Sequence, residues 1–142
     1  MKLANIYLLI SLNQNLVHSY NYYMLALQNW CSDEYMIHGL WPQETSSEYP
    51  EYCENVIYNE PNGGLLNEMN DYWDSCSKEE LWKHEWTKHG SCMSKQYNIT
   101  ENYYYNKTIS LFKNNKDRLI YCNDSDCILG CFDLNYNMIK CE

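Results

Sequence analysis

Eight cysteines in a chain of 142 residues are what most restricts how it can fold. An even number at that density fits a disulfide framework assembled in an oxidising compartment, because cytosolic thiols are kept reduced. None of the eight stands in a C-x-x-C pair, the usual half of a zinc site. The start of the chain points the same way. Lys2 supplies a minimal positive end, and Leu3 to Leu12 is a short apolar run broken only by Asn5 and Ser11. Val17-His18-Ser19 then offers small-to-medium residues where a signal peptidase cuts. Residues 1–19 are read as a signal peptide and 20–142 as a single domain. Sequons at Asn98, Asn106 and Asn123 would accept glycans on that route. No later apolar run approaches the roughly 20 residues of a membrane span.

Charge narrows the function. A formal net charge of −9 argues against a tight, non-specific nucleic-acid binder, which needs a basic face to replace phosphate counterions. It is compatible with an enzyme that grips one or two nucleotides, above all where acid protonates carboxylates and histidines. The many tyrosines and tryptophans supply flat rings that fill cores and can stack on bases.

Tyr20 to Leu27 is apolar and aromatic without interruption, as a buried strand would be, and Tyr35 to Leu40 is a second such run with a histidine inside it. Gln43 to Pro50 reads as a loop and Gly63-Gly64 as a break. Leu65 to Trp73 has helical spacing, with Leu66, Met69 and Trp73 on one stripe. Ser77, with Glu80 three residues on, looks like a capping box; the helix it opens should run through Leu81, Trp82 and Trp86 and stop near Gly90. Asn102 to Lys113 is helical in spacing at Tyr105, Ile109 and Phe112. Cys127 to Leu134 and Met138 to Cys141 read as closing strands around Asn135-Tyr136-Asn137.

The chemistry concentrates between Lys83 and Gly90. At about 100° per residue, with His84 at zero, Lys88 falls near 40°, Glu85 near 100° and His89 near 140°, while Trp86 turns to the opposite side. One face thus carries two imidazoles, a carboxylate and an ammonium. A zinc-binding His-Glu-x-x-His needs its histidines four apart; here the spacing is five and the cation Lys88 lies between them, so no metal or other cofactor is expected. Phosphoryl transfer to a neighbouring 2′-hydroxyl needs a base, an acid and positive charge around phosphorus. Histidine suits both proton roles. Base and acid must flank the phosphate from different elements, and His38, within Met36 to Pro42, is the second group.

Ile37-His38-Gly39-Leu40-Trp41-Pro42 and His84-Glu85-Trp86-Thr87-Lys88-His89-Gly90-Ser91-Cys92 resemble the two signature segments of the ribonuclease T2 family. Leu25-Ala26-Leu27-Gln28 followed by a tryptophan resembles its first strand, Tyr49-Pro50-x-Tyr52-Cys53 its next loop, and Gly130-Cys131-Phe132-Asp133 with Cys141 its C-terminal hairpin. The resemblance implies an α+β fold, an antiparallel sheet with packed helices. It implies a secreted or lysosomal/vacuolar monomer that cleaves single-stranded RNA through a 2′,3′-cyclic phosphate, without metal, and takes neither DNA nor membrane as partner. By analogy His89 is the base on the 2′-hydroxyl and His38 the acid at the leaving oxygen, although the sequence alone does not separate acid from base. His84 would hold the phosphate, with Glu85 and Lys88 supporting the charged transition state. Trp41 and Tyr49 match positions that sandwich a base, and Gln28 and Gln43 lie where base edges are contacted. The same alignment pairs Cys53 with Cys92 and Cys131 with Cys141, leaving Cys31, Cys76, Cys122 and Cys127 with three possible pairings.

The resemblance covers roughly residues 20–112 and 119–142. A family segment of several tens of residues is missing near 113–118, and its loss would leave apolar sheet surface uncovered at a cost of about 25 cal/mol per Å². Leu81 replaces the usual aromatic beside the base site, and Gln43 an acidic residue or Asn. The alternative is a catalytically inactive secreted binding or signalling protein on the same scaffold. The intact set of His38, His84, Glu85, Lys88 and His89 speaks against it.

Overall fold

A computed structural model describes residues 20–118, 120–122 and 127–141; the signal-peptide reading of 1–19 and the sequon at Asn123 lie outside these residues. The first apolar run forms β1 (Tyr22–Gln28) and the second forms β2 (Met36–Gln43). The C-terminal segments form β3 (Tyr121–Cys122), β4 (Cys127–Asp133) and β5 (Met138–Ile139). All pairings are antiparallel, in the order β2-β1-β4-β3, with β5 also on β4. Strand β1 therefore has a neighbour on each side, which explains its unbroken apolar character. The sheet with its helices gives the expected α+β class.

The helices are α1 (Gly63–Tyr72), α2 (Lys78–Glu85), α3 (Ser91–Tyr97) and α4 (Glu101–Asn115), with a π turn at Trp86–Gly90 between α2 and α3. Three expectations are overturned. The helix does not stop at Gly90 but continues to Asn98, which ends it in the left-handed region (φ 52°) with its N–H on the Ser94 carbonyl. Gly90 is glycine for another reason: the Trp86 ring lies where its Cβ would stand. Nor does Ser77 cap α2. Its side chain makes no cap bond, and its own N–H goes to Ser75 Oγ at 3.2 Å. The side-chain cap is at Thr100, whose hydroxyl accepts from the Tyr103 N–H at 3.2 Å and starts α4. Gly63-Gly64, read as a break, opens α1 instead.

One hydrophobic cluster joins the sheet to the helices, with Leu25, Ile37 and Leu40 meeting Trp73, Trp82 and Met93. Tyr104 of α4 is fully buried against β2; its hydroxyl donates to the Leu40 carbonyl at 3.1 Å and accepts from the Leu40 N–H at 3.3 Å. The disulfides are Cys31–Cys76, Cys53–Cys92, Cys122–Cys127 and Cys131–Cys141, which settles the three open pairings. Between the end of α4 and β3, an open groove of about 820 Å³ runs along the sheet between Arg118, Tyr121, Ile128 and Met138.

Candidate active site

His38 owes its position to a defect in the ladder. Ala26 pairs with Gly39 and Leu27 with Ile37, so His38 is the extra residue of a β-bulge. A bulge leaves one residue unpaired and re-aims its side chain. The freed carbonyl of His38 is not left bare. It accepts the Trp73 indole N–H at 2.8 Å, and the Trp73 carbonyl accepts the Trp82 indole N–H at 2.8 Å.

The other half of the site comes from the junction of α2 with the π turn. Glu85 closes α2 with its side chain 1% exposed. One carboxylate oxygen lies 3.5 Å from His38 Nε2, and the other lies 4.0 Å from His89 Nε2. Trp41, three residues after the bulge, donates its indole N–H to Glu85 Oε2 at 2.8 Å. The Trp41 ring lies nearly parallel to the His89 imidazole, with centroids 5.3 Å apart at 25°, and meets His38 edge-on at 5.1 Å. Gly39 makes room for this arrangement, since a Cβ there would overlap Glu85 Oε2 and Trp41 Nε1. The wider π turn sets His89 on the inner side, and such turns are common at functional sites.

Burial dominates the electrostatics. It pushes the Glu85 carboxyl up to about 8, against the Trp41 hydrogen bond and the Lys88 charge, which pull it down. It drives His89 down to about 2, with Lys88, His84 and His38 adding to the effect. His89 Nδ1 is buried without a hydrogen-bond partner, so a charged imidazole would hold an unsatisfied proton there. Burial and Lys88 also lower His84, against Glu51. Lys88 moves the other way: burial opposes its charge, but Tyr49, Glu51 and Glu85 outweigh it. A neutral imidazole and a protonated carboxyl side by side can exchange protons with a substrate at mildly acidic pH.

The structure therefore brings together His38, Trp41, Glu85 and His89. Tyr49 and Lys88 flank them: the Tyr49 ring lies 6.0 Å from His89, and Lys88 Nζ lies 5.4 Å above the Tyr49 ring. His84 is on the outer side, edge-on to Tyr52 at 6.5 Å. Gln43 is buried at the end of β2, on the strand face of Trp41 by the two-residue period. Gln28 has its amide committed within the protein. Its Nε2 donates to the Asp74 carbonyl at 2.6 Å and its Oε1 accepts the Trp30 N–H at 3.1 Å.

Three contributors escaped sequence reading. Trp30, 63% exposed, sets its ring 4.9 Å from His38. Glu51 pairs with Lys88 at 3.4 Å. Gly39 supplies the clearance already described. A signal existed for Glu51, because the Cys53–Cys92 bridge brings its segment to the turn that carries Lys88, where the Tyr52 N–H meets the Lys88 carbonyl at 2.8 Å. Among the described residues, no three or more His, Cys, Asp or Glu side chains are grouped to hold a metal ion, and no helix is long and apolar enough to cross a membrane.

Known proteins resemble this chain in sequence and in fold. Ribonuclease T2 of Aspergillus oryzae is 32% identical over 102 residues, spanning 58% of this chain and 37% of that protein. The chain spans less than half the length of each curated relative it was aligned with. The fold matches the self-incompatibility associated SF11-RNase of Nicotiana alata with a TM-score of 0.65 at 18% identity, covering 87% of this chain and 92% of that one. It also matches RNase NT, crystallised with 5′-AMP, with a TM-score of 0.57 at 19% identity, covering 87% and 91%. The family model described as Ribonuclease T2 family matches residues 13–123, most of the chain. On that match, and with the fold of its structural neighbours, the chain belongs to the ribonuclease T2 family.

Proposed function

We propose that this protein is an endoribonuclease that cleaves single-stranded RNA by metal-free transphosphorylation, with His38 and His89 as the acid/base pair. One observation carries the reading: Nε2 atoms from two separate elements, a strand bulge and a π turn, reach the two oxygens of one buried carboxylate. Such a convergence supports proton transfer by two imidazoles about a single phosphodiester.

In the reaction the 2′-oxygen forms a bond to phosphorus while neutral His89 takes its proton. The bond from phosphorus to the 5′-oxygen breaks as His38 protonates that oxygen, leaving a 2′,3′-cyclic phosphate. Lys88, beside the Tyr49 ring, offers positive charge to the non-bridging oxygens, where negative charge builds, and His84 is assigned to a phosphate at the outer side of the site. Glu85 orients both imidazoles. The outward faces of Trp41 and Tyr49 offer stacking surfaces, which tolerate every base. The 5′-AMP held by RNase NT, a protein of the same fold, supports a nucleotide as the unit recognised. Four disulfides support maturation on a secretory route, and Asn98 and Asn106 are exposed there as glycan acceptors.

The test is incubation of the disulfide-bonded protein with single-stranded RNA at about pH 5 in EDTA, within the range where histidine titrates. Fragments ending in 2′,3′-cyclic phosphate are expected. RNA that is bound but left intact by a folded protein would overturn the proposal and favour a binding protein on the same scaffold.

A further inference from the structure

Among the described residues, Trp41 supplies the only hydrogen bond accepted by the buried Glu85 carboxylate, at 2.8 Å, while His38 and His89 stand off at 3.5 and 4.0 Å. The same indole lies nearly parallel to the His89 imidazole. One ring system thus touches both groups through two different features, its N–H edge and its flat face. A side chain that only stacked on a base would need neither contact. Gly39, two residues before it on β2, leaves the gap through which the indole edge reaches the carboxylate. The face that meets His89 is already in use, so a substrate base can lie only on the other.

We propose that Trp41 is a positioning residue for the acid/base machinery: its N–H fixes the Glu85 carboxyl and its face fixes the His89 imidazole, before any substrate arrives. The catalytic consequence rests on the two-histidine reading above; the clamp itself does not.

The groups that face Glu85 are His38 from β2, Lys88 and His89 from the π turn, and Tyr104 from α4. None of these changes when Trp41 becomes phenylalanine. Trp41→Phe removes the N–H donor and keeps a smaller ring for His89 to meet. A hydrogen bond to a charged group favours the charged form, so its loss should raise the titration midpoint of Glu85 by about one pH unit. That midpoint is read from the side-chain carboxyl carbon by NMR, with no need for activity. With RNA dinucleotides, kcat should fall about tenfold while KM changes less than about threefold, and the pH profile should move with the Glu85 midpoint. A residue that only stacks on the base predicts the opposite: KM rises and the profile stays where it was.

Two measurements need no Trp41 variant. In the native protein the Trp41 indole N–H resonance should titrate with the same midpoint as the Glu85 carboxyl, and in Glu85→Gln that titration should vanish. An unchanged Glu85 midpoint in Trp41→Phe overturns the proposal, as does an indole resonance in the native protein that ignores Glu85. If Trp41→Phe does not fold, the native titration decides alone. If the native protein cuts no RNA, the functional reading fails and these titrations still decide the clamp.

Discussion

The indole N–H of Trp73 donates to the main-chain carbonyl of His38 at 2.8 Å. This bond joins the C-terminal end of α1 to the bulge of β2, and the Trp82 indole on the Trp73 carbonyl extends it to α2. The histidine on the strand and the carboxylate on the helix are thus tied by two buried tryptophans as well as by their own contact. Trp73→Phe would take the indole donor away from the His38 carbonyl. It should cost about 0.5–1.5 kcal/mol of stability, the typical net worth of one hydrogen bond. At roughly 2–4 °C per kcal/mol for a domain of this size, calorimetry would resolve the change in Tm. Cleavage should weaken as the bulge loosens, and an unaltered Tm would show that the bond carries no weight.

Gly39 makes a sharper prediction. Gly39→Ala places a methyl where Glu85 Oε2 and Trp41 Nε1 now lie, so the carboxylate must move. Overpacking of this kind costs about 1–3 kcal/mol, and a displaced carboxylate should lower kcat by about a hundredfold or more. Steady-state kinetics with a dinucleotide would check it. Native kinetics in Gly39→Ala would mean that Glu85 is not held where the structure puts it.

Stability should depend on pH through Glu85 and His89 with opposite signs. Burial raises Glu85 from 4.5 to about 8, so the folded state binds the proton more tightly. Its contribution is present in full below pH 4.5 and is lost as pH rises towards 8. His89 falls from 6.5 to about 2, so its contribution is present above pH 6.5 and is lost as pH falls towards 2. Between 4.5 and 6.5 the two slopes cancel, giving a plateau with a fall on either side. Chemical denaturation across this range should show the plateau. Glu85→Gln should flatten the alkaline limb and His89→Asn the acid limb; limbs unchanged in both variants would contradict the burial argument.

Much of this was legible in the sequence. β1, β2 and α4 follow from apolar runs and helical spacing, and the two histidine segments carried the site as a group. What stayed hidden depends on tertiary contact. Gly90 looks like a helix stop because glycine favours that place, yet it is glycine because the Trp86 ring lies over it. Asn98, the real stop, stands in a sequon, which says nothing of its left-handed backbone. Ser77 and Glu80 have the spacing of a capping box, but the Ser75 hydroxyl takes the Ser77 N–H. The bulge at His38 could not be read, because the mismatch lies between two strands and not within one. Gln28 looked like a ligand for a base edge, and its amide is held by Asp74 and Trp30.

His38 and His89 should handle different protons of one reaction, and a substrate with an activated leaving group tests this directly. A nucleoside 3′-(4-nitrophenyl phosphate) expels nitrophenolate without help from an acid, whereas a dinucleotide needs its 5′-oxygen protonated. His38→Ala should lose activity on the dinucleotide yet stay within about tenfold of the native rate on the nitrophenyl ester, while His89→Ala should fail on both. Equal losses for both variants on both substrates, or dinucleotide cleavage that survives either change, would contradict it.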